Sequence, residues 1–149
     1  MRETIGSYRP QLEAAGFKVA CDLPGTAVEL HADRDALAQV LLNLVSNAEK
    51  YSSDRKEVLV RLGASASIAQ LEVLDRGIGI PAGCEEKIFE QFFRAHDSLS
   101  SGVQGSGLGL TLARQIVRAH GGEIKYSPRS DGGSCFTVVL PLNQVPTTV

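Results

Sequence analysis

Ile68-Ala69-Gln70-Leu71-Glu72-Val73-Leu74-Asp75-Arg76-Gly77-Ile78-Gly79-Ile80 is the stretch on which the fold turns. Ile68 to Leu74 reads as an apolar strand, and Asp75 sets a carboxylate at its end. Gly77 and Gly79 then let the backbone turn tightly or approach a ligand closely. A second glycine box, Gly105-Ser106-Gly107-Leu108-Gly109-Leu110, has a different chemistry. It runs straight into an amphipathic helix, so it can offer backbone N–H groups and a helix N-terminus to an anion. The first box suits a neutral polar ring and the second suits phosphates. Either box alone is weak evidence; as a pair they point to a nucleotide.

Outward from this stretch, Glu57–Leu62 is expected to pair with Ile68–Leu74 as a hairpin around the small-residue turn Gly63-Ala64-Ser65-Ala66. Upstream, residues 3–15 read as a helix ended by Gly16, with Pro10 expected to kink or interrupt it. Phe17–Asp22 and Ala27–His31 read as strands on either side of the turn Leu23-Pro24-Gly25. Asp33 is the expected N-cap of a helix in which Leu37, Leu41, Leu44, Val45 and Ala48 keep helical spacing to about Ser52. Downstream, Glu85–Arg94 reads as a short helix and residues 95–105 as a polar, mobile segment. Leu108–His120 reads as a long helix stopped by Gly121-Gly122, with His120 favouring the helix C-terminus as a positive charge. Glu123–Tyr126 and Ser134–Leu140 read as strands joined by a turn containing Asp131-Gly132-Gly133. These elements predict an α+β two-layer sandwich: one mixed sheet of about five strands, with about three helices on one face. Residues 1–149 are expected to form a single domain.

Composition narrows the partners. The net charge of −2 argues against a broad nucleic-acid surface. No apolar run is long enough to span a membrane, and no signal-peptide pattern opens the chain. Cys21, Cys84 and Cys135 are too few and too scattered for a disulfide framework or a zinc site, which favours a cytoplasmic location.

The helix opened by Asp33 carries a second polar pattern. Asn43, Asn47 and Lys50 recur at helical spacing and share one stripe, about 100–160° around the helix from the apolar positions. A solvated face is the plain reading of that stripe. The alternative is chemical: a carboxamide oxygen can ligate a hard cation such as magnesium, which takes its other positions from phosphates and water. Lys50 could then meet phosphate charge, and Tyr51 is positioned to lie against a base or ribose.

In this order the segments resemble the catalytic, ATP-binding domain of sensor histidine kinases, in the superfamily shared with DNA gyrase, the mismatch-repair ATPases and Hsp90-type chaperones. Asn43-Leu44-Val45-Ser46-Asn47-Ala48-Glu49-Lys50-Tyr51-Ser52 is similar to the family's N box and Asp75-Arg76-Gly77-Ile78-Gly79-Ile80-Pro81 to its first glycine box. Ile88-Phe89-Glu90-Gln91-Phe92-Phe93-Arg94 is similar to the F box, and Gly105–Leu110 to the second glycine box. The resemblance covers roughly residues 5–141 and implies the Bergerat ATP-binding fold, with a mobile lid at about residues 95–105.

It also implies roles. Asn47 would coordinate magnesium, with Asn43 supporting it or touching phosphate; Lys50 and Arg94 would meet the phosphates and Tyr51 the nucleoside. Asp75 would accept a hydrogen bond from the adenine amine, where guanine has a carbonyl. Gly77 and Gly79 would admit the base, with Ile80 lining its pocket. Phe89, Phe92 and Phe93 would anchor the lid or serve as ordinary core. Ser106 and the N–H groups around Gly105, Gly107 and Gly109 would cradle the phosphates, while Leu108 and Leu110 pack the helix on the sheet.

Hydrolysing relatives carry a glutamate where this chain has Asn43, and a neutral carboxamide cannot act as a general base. The resemblance therefore implies phosphoryl transfer from Mg-ATP to a histidine rather than hydrolysis. None of His31, His96 and His120 lies in the family's acceptor pattern, so the acceptor is expected on a separate dimerisation domain, absent from this chain. A downstream response regulator is the implied further partner, and the domain itself is expected to be monomeric, without membrane contact. Two other readings remain open: an ATP-binding module that transfers nothing, and a serine-directed kinase of the anti-sigma-factor type.

Overall fold

The computed structural model describes residues 2–23, 33–50, 55–80, 83–90, 109–130 and 132–142, with side chains from residue 6 onward. Helix α1 (Arg2–Ala14) leads into strand β1 (Lys18–Asp22) and helix α2 (Arg34–Lys50). The hairpin β2 (Glu57–Ala64) and β3 (Ile68–Asp75) follows, then a 3-10 turn at Lys87–Phe89. Helix α3 (Gly109–Ala119) and the strands β4 (Glu123–Pro128) and β5 (Ser134–Pro141) complete the described elements. The five strands form one sheet in the order β1-β2-β3-β5-β4. β1 runs parallel to β2, and the other neighbours are antiparallel. The parallel pair is joined through α2, because parallel neighbours need a crossover.

Sheet alternation makes the core. Val58 and Val60 of β2, Leu71 and Val73 of β3, and Phe136, Val138 and Leu140 of β5 are buried and packed in one cluster with Leu41, Leu44, Ala113 and Val117 of the helices. The opposite sheet face carries polar residues, among them Arg61, which lies 3.6 Å from Glu72 and 3.8 Å from Asp22. Helix α2 buries Val40, Leu41, Leu44, Val45 and Ala48. Four of those lie where the spacing predicts; Val40 is an addition, and Leu37 is only partly buried. Asp33 caps the helix as expected, its Oδ1 accepting the N–H groups of Asp35 at 3.0 Å and Ala36 at 3.1 Å.

Several boundaries differ from expectation. Pro10 lies inside α1 without interrupting it. The carbonyl that loses its donor is that of Gly6; both residues are exposed, so water can replace the missing bond. The β2–β3 hairpin turns at Ala66-Ser67, with Ser65 N–H donating to Ile68 O at 2.9 Å, so Gly63 and Ala64 are strand residues. Small side chains there did not mark the turn. The predicted helix at Glu85–Arg94 is, among its described residues, only the single 3-10 turn. Helix α3 stops as predicted. Gly121 takes φ +79°, Gly121 N–H donates to Arg118 O and Gly122 N–H to Val117 O, both at 3.0 Å. The predicted strand Ala27–His31 and the segment 95–105 lie outside the described residues.

Candidate functional site

The alternation that sends Leu71 and Val73 to the helix side of the sheet sends Asp75 there too, at the C-terminal end of the central strand. Asp75 is 2% exposed. Its Oδ1 accepts N–H bonds from Gly77 at 2.8 Å and Ser134 at 3.2 Å. Burial pushes its carboxyl pKa up, and those two N–H groups and the nearby Arg129 charge oppose the shift. Both bonds fall on Oδ1, and among the described residues Oδ2 accepts from none. Arg129 Nη1 donates to the Asp75 carbonyl at 3.1 Å.

The glycine box that follows is held at both ends. Gly79 has φ +74°. Ile80 N–H donates to the Tyr126 hydroxyl at 3.3 Å, and the Ile80 side chain packs against the core. Ile78 is 46% exposed, an apolar side chain left at the mouth of the site. Gly133 begins the approach of β5: its φ is +104°, and a Cβ there would run into the Asp75 carbonyl oxygen. Only glycine lets the two backbones meet at this point.

On α2, Asn43 and Asn47 are partly buried and Lys50 is exposed. Asn43 Nδ2 donates to the Gly109 carbonyl at 3.1 Å, and Gln39 Nε2 donates to Asn43 Oδ1 at 2.7 Å. The N-box helix is thereby tied to the last glycine of the second box. Leu110 packs against the core as the resemblance implies. Among the described residues, Asn47 has no hydrogen-bond partner for its carboxamide, and no cluster of His, Cys, Asp or Glu could hold a metal. The carboxamide oxygen of Asn47 suits a cation that takes most of its ligands from phosphate and water.

Phe89 is core: it is 5% exposed and meets Phe136 edge-on at 6.4 Å. The Arg114 guanidinium lies 4.7 Å from the Phe89 ring and bonds Glu86 at 3.0 Å. Thr111 Oγ1 donates to the Phe89 carbonyl at 2.9 Å, joining the F box to α3. Tyr51, Phe92, Phe93, Arg94, Gly105, Ser106, Gly107 and Leu108 lie outside the described residues.

His120 stands at the end of α3 as expected, and it makes a contact that the sequence did not announce. Its Nε2 accepts the Asp33 N–H at 3.0 Å, and Nδ1 lies 2.8 Å from the Ile116 carbonyl. The ring thereby bridges the end of α3 to the cap of α2. Sequence reasoning also missed Arg129, Ser134, Gly133 and Tyr126. Strand pairing brings Ser134 and Tyr126 to the first glycine box, and no local pattern announces it.

Comparison with known proteins bears on this geometry. The family described as "Histidine kinase-, DNA gyrase B-, and HSP90-like ATPase" matches residues 32–144. The sensor protein KdpD of Escherichia coli is 37% identical over 147 residues, which is 98% of this chain and 16% of that protein. The chain therefore spans a small part of that relative's length. The solved catalytic domain of histidine kinase ThkA, in a nucleotide-free form, superposes with a TM-score of 0.82 at 27% identity, over 95% of this chain and 90% of that one. ThkA in complex with the response regulator protein TrrA gives a TM-score of 0.78 at 25% identity, over 95% of this chain and 39% of that one. With its two-layer fold, its buried strand-end aspartate and these likenesses together, the chain belongs to the histidine kinase-, DNA gyrase B- and HSP90-like ATPase family, as a sensor histidine kinase catalytic domain.

Proposed function

We propose that this domain binds Mg-ATP and donates the γ-phosphoryl group to a histidine on a separate dimerisation domain, from which a response regulator is phosphorylated. The observation that carries the reading is Asp75. It is a buried carboxylate with one oxygen fixed by backbone N–H groups and the other left to accept from the adenine amine. Asn47 would hold magnesium, with Lys50 and Arg94 neutralising the phosphates, Tyr51 against the nucleoside, and Ser106 with Gly105 and Gly107 cradling the phosphate chain. Magnesium would supply charge neutralisation across the phosphates, and the protein's share is positioning. The Asn43 carboxamide cannot act as a base for water, which on this reading keeps ATP for the acceptor.

The test is calorimetric titration with ATP, with and without magnesium, alongside steady-state phosphate release. The reading expects ATP to bind over GTP, magnesium to tighten binding, and Asn47→Ala to remove the magnesium effect. Absence of ATP binding, or sustained hydrolysis at ordinary ATPase rates, would sink it.

A further inference from the structure

Gln39 lies one helical turn before Asn43 on α2, and the two side chains form the first link of a relay that ends on α3. Gln39 Nε2 donates to Asn43 Oδ1 at 2.7 Å, and Asn43 Nδ2 donates to the Gly109 carbonyl at 3.1 Å. A carbonyl oxygen only accepts, so the Asn43 amide has one workable orientation: its NH2 toward Gly109 and its oxygen turned away. In that orientation the oxygen needs a donor, and Gln39 supplies it. We propose that Gln39 is a positioning residue for the nucleotide site: by holding the Asn43 oxygen, it keeps the Asn43 amide on the carbonyl of Gly109, the first residue of α3. This rests on reading Asn43 and residues 105–110 as the phosphate side of an ATP site.

Among the described residues, the start of α3 is held by the Asn43 bond together with Leu110 and Thr111. A Cβ built at Gly109 would meet nothing within 4 Å, so Gly109 itself adds no packing to the helix entrance. The buried positions of α3 are Ala113 and Val117, a turn or more further along. Ahead of them, among the described residues, Leu110 is only partly buried against the core, and the hydrogen-bond anchors are Asn43 on the Gly109 carbonyl and Thr111 on the Phe89 carbonyl. Where apolar packing is thin, single hydrogen bonds govern local opening. Losing the Gln39 donor would leave the Asn43 oxygen to water and loosen the amide's hold on the Gly109 carbonyl. The relay also occupies the Asn43 oxygen, which leaves cation ligation to Asn47.

Gln39→Met removes the donor without adding charge, and Gln39→Glu replaces it with an acceptor. Gln39 is exposed, so both variants are expected to fold. The expected result for Gln39→Met is faster amide hydrogen exchange confined to the first turn of α3 in the nucleotide-free protein. ATP affinity should fall by about 2- to 12-fold, the range one neutral hydrogen bond spans, and further in Gln39→Glu. The deciding measurement is the cycle with Asn43→Ala: on that background Gln39→Met should leave α3 exchange unchanged, because Gln39 acts through Asn43. Wild-type exchange in Gln39→Met, equal acceleration on both backgrounds, or acceleration spread over the whole chain would overturn the proposal. Exchange is read without nucleotide, so a wild-type chain that fails to bind ATP would defeat the ATP reading and leave this result to stand or fall separately.

Discussion

Asp75→Asn separates base recognition from folding. The Gly77 and Ser134 N–H groups, at 2.8 Å and 3.2 Å from Oδ1, still need an acceptor in the variant. They therefore hold the carboxamide oxygen and turn its NH2 to the place of Oδ2. A donor then faces the adenine amine, itself a donor. The hydrogen bond lost is one to a charged group, worth about 1.5–3 kcal/mol. That converts to about a 10- to 150-fold loss of ATP affinity, at about 1.4 kcal/mol per decade. Guanine presents a carbonyl at that position, so GTP should gain on ATP. Stability moves the other way. Burial raises the Asp75 pKa in the fold, so the native state favours the protonated acid. That contribution is full below the ordinary aspartate range and is lost as pH rises through the folded value. The variant should thus melt no lower than wild type at neutral pH, with any advantage shrinking as pH falls to the ordinary aspartate range. Titration calorimetry with ATP and GTP, paired with melts across pH, reads both effects. ATP affinity within about two-fold of wild type, with the ATP-over-GTP preference unchanged, would refute the argument.

Three further outcomes follow from the same geometry. Asn43→Glu puts a carboxylate against the Gly109 carbonyl in place of an amide donor; it should loosen the start of α3 and still fall short of ordinary ATPase rates, which phosphate release would show. Phe136→Ala empties a site 1% exposed between Phe89 and Tyr126, and should cost about 3–5 kcal/mol in urea unfolding; a loss under about 1 kcal/mol would contradict the packing described. The Tyr8 hydroxyl donates to Glu49 at 2.6 Å and, chiefly by burial and then by that carboxylate, its pKa is raised to about 12. Its contribution is complete below the ordinary tyrosine pKa and is lost as pH rises through about 12, so Tyr8→Phe should be less pH-sensitive than wild type in alkaline melts, and identical alkaline profiles would speak against the bond.

The parts of this structure legible in the sequence are those governed by local periodicity. The Asp33 cap, the apolar stripe of α2, the β2–β3 hairpin and the glycine stop of α3 each depend on residues close together in the chain. The Ala66-Ser67 turn was misplaced because Ala64 and Gly63 look as turn-like as their successors, and register with Ala69 and Gln70 decides between them. The predicted helix beginning at Glu85 is, among its described residues, a 3-10 turn whose Ile88 and Phe89 are both buried. In the site, Asp75 was readable from its place after a strand. Its partners Ser134 and Arg129 were not, because they arrive from across the β3–β5 pairing. The Gln39–Asn43–Gly109 relay is half legible: the one-turn spacing of Gln39 and Asn43 is in the sequence, and the approach of α3 is not.

The central claim is phosphoryl transfer from ATP to histidine, and it is tested by mixing this chain with γ-labelled ATP, magnesium and a separate histidine-bearing dimerisation fragment. Acid-labile, alkali-stable phosphate on that fragment, abolished by Asn47→Ala, is the predicted result. ATP binding with no label transferred, or acid-stable phosphate on a serine, would contradict it.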